Sequence, residues 1–311
     1  MENRGMGSLS GSAGRLPSLV LLGFVGGGCS EVLNDDTADE PVVWTCPAHT
    51  NCDEDYCDRT LIPAGEFIMG SDHAPHEDSY WPSGDERPVH SVNLDSFCID
   101  TYEVSLDRYE SCVDRDECSP EGGEWTDTTG ANAVDTWVNH YPSDCYNSSY
   151  KIKQECVDRA VNAKSYFQAE AYCEWIGASL CTEAQWERAA NGPGLEQRLH
   201  PWGDEDPDEE LVNLPSTNGY ATGGEGYVES VDSYHAGASP EGVLNMAGNV
   251  YEWVQDGYAL YEEGPDGEAL DNPSYPAKEG DEGVGRGSCF FTEPEHTVSE
   301  RSVFPLDFDW G

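Results

Sequence analysis

Apolar and polar residues alternate along Val89-His-Ser-Val-Asn-Leu-Asp-Ser-Phe97, the period-two pattern of a strand with one buried face. Helical spacing appears twice. Leu106, Tyr109 and Cys112 recur at steps of three between Ser105 and Cys112, and Phe167, Ala171 and Trp175 recur at steps of four between Ala163 and Trp175. A further helix is predicted over Thr182-Glu-Ala-Gln-Trp-Glu-Arg-Ala-Ala190, where Thr182 as N-cap and Gln185 three residues later make a capping box and Gly192-Pro193 ends the run. Elsewhere from Ile62 onward the apolar runs are short and broken by Gly, Pro and Asp, and regular structure should be sparse between Asp204 and Gly285. The pattern describes an irregular α+β domain without internal repeats. Long loops in such a domain need staples, and bound cations serve that purpose.

Composition narrows the partners. The chain has 311 residues, 37% of them hydrophobic, enough for one large domain or one domain plus a tail. Its 61 acidic and 15 basic side chains give a net charge of -46, which repels phosphate backbones and anionic headgroups. Nucleic acid is thereby excluded as a partner, and so is polybasic contact with a membrane. The excess charge reads as a solvated acidic surface suited to a salty habitat, with binding of multivalent cations as the functional alternative.

Arg4 and Arg15, the apolar run from Leu16 to Val25 and the small residues before Cys29 describe an export signal over residues 1–28, too short to span a bilayer permanently. The placement of Cys29 resembles a bacterial lipoprotein signal, in which this cysteine is lipidated, although Gly26 departs from the usual Leu. A plain signal peptide cut nearby is the alternative. The protein is therefore expected to be exported, either secreted or held at the cell envelope, with membrane contact only through a lipid anchor. Residues 29–60, with Asp35-Asp36, Asp39-Glu40, Cys46, Cys52 and Cys57, read as an acidic tether clipped by at least one local bridge.

Twelve cysteines in an exported chain argue for disulfides, and lipidation of Cys29 would leave an odd number. Cys112 with Cys118 and Cys145 with Cys156 are the candidate local pairs. No C-x-x-C spacing supports a zinc knuckle or a redox motif. His73 and His76 belong to a polar loop, His90 sits at a strand position as a core residue, and no histidine spacing supports a non-heme iron triad.

Asn245-Met-Ala-Gly-Asn-Val-Tyr-Glu-Trp253 interleaves amide and carboxylate oxygens with small residues that let carbonyls turn inward, a hard-cation pattern. The alternative is that Asn245 and Asn249 only cap turns while Glu252 is solvated. The nonapeptide follows, in order, Ile62-Pro-Ala-Gly-Glu-Phe-Ile-Met-Gly70, Asp85-Glu-Arg-Pro-Val-His90, Phe97-Cys-Ile-Asp-Thr-Tyr-Glu-Val104, Leu180-Cys-Thr-Glu-Ala-Gln-Trp-Glu-Arg-Ala-Ala190 and His200-Pro-Trp-Gly-Asp204. With these segments the chain resembles the formylglycine-generating enzymes, or sulfatase-modifying factors, over a domain spanning residues 61–311. The resemblance implies a variant of the C-type lectin-like fold, with much irregular loop.

It also implies two structural calcium sites. The first uses the Asn213 side chain, the Leu214 carbonyl, Glu225 and Tyr227, with Glu225 standing where the family has Asp and a shorter loop between. The second uses the Asn245 and Glu252 side chains and the Gly248 and Val250 carbonyls. Family enzymes oxidise a substrate cysteine to formylglycine with oxygen and a copper ion held by two cysteines, the first of them three positions beyond the Ser of Gly-Gly-Ser. Here Arg286-Gly-Ser288 is followed by Cys289, Phe291 takes the first thiolate position and no cysteine comes after it. Copper is not expected to bind, and His296 has nothing nearby to complete a site. In an extended segment Cys289 would face away from the thiolate position, and it is expected to be buried or bridged rather than reactive.

The family pairs the cysteine of Ala171-Tyr-Cys-Glu-Trp175 with one after a terminal Gly-Phe-Arg. The present sequence stops at Asp309-Trp-Gly311, apparently truncated, which leaves Cys173 free or paired with Cys181. No catalytic residue is assigned. The expected function is an exported sulfatase-modifying-factor-like binding or scaffold module, for an unidentified protein or glycan, without copper oxidase activity. The alternative is an oxygen-dependent oxidoreductase acting on a thiol through an altered site. Trp81, Tyr220, Tyr251 and Tyr258 are candidate ligand contacts, with Tyr251 expected to lie in the core.

Overall fold

The computed structural model describes residues 45–49, 51, 56–72, 84–119, 145, 153–214, 227–290 and 297–307, together with the backbone of two short strands, β1 (Val25–Gly26) and β2 (Cys29–Val32). The remaining strands are β3 (Arg59–Ile62), β4 (Gly65–Met69), β5 (His90–Leu94), β6 (Phe97–Asp100), β7 (Glu252–Gly257), β8 (Leu270–Asp271), β9 (Glu282–Arg286) and β10 (Ser302–Pro305). They form three small sheets, ordered β1-β2-β6-β3, β10-β9-β7 and β4-β5-β8, antiparallel except for the β5–β8 pair. Three α-helices of the described residues, α1 (Leu106–Val113), α2 (Tyr166–Trp175) and α3 (Glu183–Asn191), pack on these sheets and on each other.

The alternating run from Val89 proves to be two strands. His90, Val92 and Leu94 point into the core from β5, the chain turns at Asp95-Ser96, and β6 enters a different sheet with every residue buried. A strand buried on both faces carries no alternation, so the break between the two is invisible to a periodicity argument.

Ser105 caps α1 through its side chain, and Thr182 and Gln185 form the expected capping box on α3, worth about 1 kcal/mol. Gly192 closes α3 with φ 83°. The stripe read from α2 is only partly its inner face, with Trp175 packed against the core. Phe167 is exposed, whereas Tyr166, Tyr172 and Cys173 are the buried positions, because the helix packs against α1 with the Tyr172 ring stacked on Tyr109 at 5.8 Å.

Cys112–Cys118 and Cys145–Cys156 are disulfides. Cys57 of the acidic segment is disulfide-bonded, while Cys46 reaches out of the segment and bridges Cys98 in β6, 52 residues away. Beside it His49 Nε2 lies 2.6 Å from Asp100 Oδ1, and Arg108 Nη2 donates to Asp100 Oδ2 at 2.7 Å, so the end of the acidic segment is fastened to the domain. Burial raises the Asp100 carboxyl, but Arg108 and His49 outweigh it and hold the group below its ordinary range. Cys173, Cys181 and Cys289 are buried.

The helix α3 is buried along its whole length, charges included. Glu183 Oε1 accepts from Arg286 Nη1 at 2.8 Å, Arg301 Nε at 2.7 Å and Tyr261 Oη at 3.1 Å, while Oε2 accepts from Arg301 Nη2 at 2.9 Å. Glu187 Oε2 accepts from Arg286 Nη2 at 2.6 Å. These pairs tie α3 to the end of β9 and the start of β10. Burial raises the Glu183 carboxyl, yet the two guanidiniums overcome that and hold it below its ordinary range.

Candidate functional site

The Asn245–Val250 loop takes its shape from left-handed backbone. Asn245, Gly248 and Asn249 have φ of 54°, 74° and 59°, the region that Asn and Gly tolerate best. At Gly248 a Cβ would meet Asn213 O and Val212 Cγ2, each at 2.6 Å, so no larger residue fits. The Gly248 N–H donates to Gly287 O at 2.6 Å, and the Phe290 N–H donates to Asn249 O at 3.0 Å. The loop therefore clamps the segment in which the family carries its thiolates.

Its side chains converge on a residue not singled out from the sequence. Asn245 Nδ2 and Asn249 Nδ2 donate to Glu103 Oε2 at 2.8 and 2.7 Å, and Asn245 Nδ2 also reaches Val231 O at 3.1 Å. Glu103 is 4% exposed and its Oε1 has no partner among the described residues. Burial, and then the nearby Glu252, push its carboxyl well above the ordinary range. Glu252 Oε2 accepts from Trp186 Nε1 at 2.9 Å, and burial pushes that carboxyl up to about 7. In the sequence, Glu103 is a single carboxylate between Tyr102 and Val104, and nothing local separates it from a solvated one.

Asn245 and Glu252 of the second set thus lie beside the buried Glu103 carboxyl. Of the first set, Asn213 Nδ2 donates to Tyr227 O at 2.9 Å and to Asn249 Oδ1 at 3.0 Å, which joins the two sets. Asn213 Oδ1 is buried without a partner among the described residues, and Leu214 beside it is buried. Glu225 lies outside the described residues, as do Phe291, His296, His73, His76, Trp81 and Tyr220. Among the described residues no three His, Cys, Asp or Glu side chains gather to hold a metal, so a cation at this loop would rely mainly on amide and carbonyl oxygens beside the Glu252 carboxylate.

After β9 the chain is not extended. Ser288 has φ 65°, so the two-residue alternation that would set Cys289 on the opposite face does not apply, and a turn carries the thiol inward to full burial. Tyr251 is half-buried and packs edge-to-face on Phe304 at 5.3 Å, close to Cys289. Tyr258 is half-buried beneath the Arg301 guanidinium at 5.0 Å, its hydroxyl donating to Asp85. His90 is a core residue with Nδ1 2.8 Å from Pro88 O.

Comparison with known proteins fits this geometry. Residues 47–304 match the family model described as sulfatase-modifying factor enzyme 1-like domain. The hercynine oxygenase of Mycolicibacterium smegmatis is 31% identical over 203 residues, 62% of this chain and 44% of that protein. The formylglycine-generating enzyme of Bos taurus is 28% identical over 282 residues, 77% of this chain and 67% of that protein. The chain spans less than half the length of the hercynine oxygenase it matches. The solved structure of PvdO from Pseudomonas aeruginosa superposes with a TM-score of 0.51 at 18% identity, covering 86% of this chain and 97% of PvdO, which is a likeness of fold. The extent of the family match, with the ordered segments and the mixed helix-and-sheet fold rich in loops, establishes that the chain belongs to the sulfatase-modifying factor enzyme 1-like family.

Proposed function

We propose that this chain is an exported binding or scaffold module that keeps a calcium-held sulfatase-modifying-factor framework and lacks copper-dependent thiol oxidation. The observation that carries it is the thiol arrangement. Phe291 stands at the first thiolate position, no cysteine follows, and Cys289 is buried on a turn. A single inward thiol does not make the two-thiolate site that suits Cu(I). Titrating copper(I) into the protein with a cysteine-containing peptide and following oxygen uptake tests this. No uptake above background is expected, and catalytic oxidation of the peptide would overturn the proposal. The names of the relatives, an oxygenase and a formylglycine-generating enzyme, favour the second reading, an oxygen-dependent oxidoreductase with an altered site. The same assay decides between them.

Calcium is supported by what the loop leaves unsatisfied. Glu103 and Glu252 are buried near one another with amide and indole partners, and Asn213 Oδ1 is an unpartnered hard oxygen beside the loop. The Asn245 and Glu252 side chains and the Gly248 and Val250 carbonyls would hold one ion, and Asn213, Leu214, Glu225 and Tyr227 a second, which together would fix the loop and neutralise the acids. Calcium at about a hundred times its Kd should add about 3 kcal/mol to unfolding stability. Without it, the raised carboxyl of Glu252 makes folding favour the acid form. That contribution is present below the unfolded pKa and is lost as pH rises through about 7. Urea titrations with calcium or with chelator should therefore diverge as pH rises across this window, and coincident curves would sink the calcium reading.

Export is supported by the disulfides of the described residues. The intact mass of the native protein, before and after reduction, reports both the bridges and any lipid on Cys29.

A further inference from the structure

We infer that the cavity between the C-terminal end of α2 and β7 holds a partly hydrated divalent cation of the magnesium type, at a site that shares no residue with the calcium loop. Glu170 and Glu174 line this cavity, one turn apart on the same face of α2. Ser179 lines it too, 8% exposed, and its Oγ is buried without a hydrogen-bond partner among the described residues. A buried hydroxyl is rarely left unmet, and here it borders a pair of carboxylates. That corner is short of positive charge. Like charges at i and i+4 repel, and burial, then Glu174, push the Glu170 carboxyl up. Glu174 stands in the last turn of α2, where the helix dipole is negative and no basic side chain offsets it. Neither carboxylate makes a hydrogen bond or an ion pair among the described residues. Arg115 lies over the Trp175 ring at the helix end, 5.3 Å from its centroid, and donates instead to Ser111 O at 2.7 Å.

The donor set selects the ion. Two carboxylates and a hydroxyl are hard oxygen ligands, and Gln255 adds an amide oxygen from β7, which accepts from Ser274 Oγ at 2.9 Å and keeps a second lone pair. Among the described residues that line the cavity there is no imidazole or thiol for a softer metal, and no aromatic ring to favour an organic cation. The volume, about 420 Å³, is more than a bare ion fills and leaves room for several waters. Magnesium keeps such waters when one or two carboxylates bind it, whereas calcium favours a fuller set of protein oxygens.

The test counts manganese(II), a stand-in for magnesium that electron paramagnetic resonance detects, bound to the full chain at physiological salt, which screens the diffuse attraction of the acidic surface. The unaltered protein should hold one more manganese ion than the variant Glu170→Gln with Glu174→Gln, and magnesium should displace that ion. Any ions on the calcium loop are common to both proteins, so this difference stands whether or not the loop binds metal. Glu262→Gln with Glu263→Gln removes the same charge from exposed positions and should leave the count unchanged. Ser179→Ala should weaken the extra ion at least about fivefold, while its thermal midpoint in chelator holds or rises because no unmet hydroxyl remains. A Ser179 that only packs would lower the midpoint and leave the affinity alone. An equal count in the Glu170, Glu174 variant, an equal loss in the Glu262, Glu263 control, or unchanged affinity in Ser179→Ala would each overturn the assignment. The second result would leave only a counter-ion atmosphere, and the third only ordered water at Ser179.

Discussion

Glu183→Ala is expected to destabilise the domain by about 3–5 kcal/mol, because it strips the counter-charge from two buried guanidiniums at once. Arg286 and Arg301 are 0% and 5% exposed, and both converge on this carboxylate. Glu187 would still hold one side of Arg286, but Arg301 would keep the Asp85 carbonyl, the faces of Tyr258 and Tyr261 and the more distant attraction of the Asp85 and Asp256 carboxyls. The contrast is the surface pair His235–Asp232, with side chains 67% and 40% exposed, where His235→Ala should stay within about 0.5 kcal/mol. Acid should imitate the Glu183 variant. The Glu183 pKa is held below its ordinary value, so its contribution is complete above the unfolded pKa and is lost as pH falls through the folded one. Urea unfolding at neutral pH measures the difference, and a Glu183→Ala loss as small as that at His235 would refute the structural role given to the network.

Removing the Cys46–Cys98 bridge, as Cys46→Ala with Cys98→Ala, should cost about 4 kcal/mol on the chain-entropy estimate for a closed loop of that length. The Cys112–Cys118 bridge closes a loop of only 6 residues, and its removal should cost less. The effect also has a local signature. The His49–Asp100–Arg108 contact survives in the double variant, so residues 45–49 should remain protected from proteolysis in native buffer even as the denaturation midpoint falls. Cleavage there under native conditions would mean that the bridge alone fastens this segment.

The sequence by itself determined what depends on neighbours along the chain. The cap at Thr182, the stop at Gly192 and the short bridges Cys112–Cys118 and Cys145–Cys156 follow from local geometry, and each stands where the spacing predicted it. The ordered segments were enough to expect the family, and Phe291 was enough to question its chemistry. Only the tertiary structure decided which face of α2 is inside, since Phe167 and Tyr172 are equally apolar in a string of letters and the packing of α1 chooses between them. It likewise turned Cys289 inward at the left-handed Ser288, carried Cys46 across to Cys98, and placed Glu103 beneath Asn245. Desolvation and pairing are properties of a place in space. A carboxylate 142 residues from its amide partner acquires them only when the chain has closed around both.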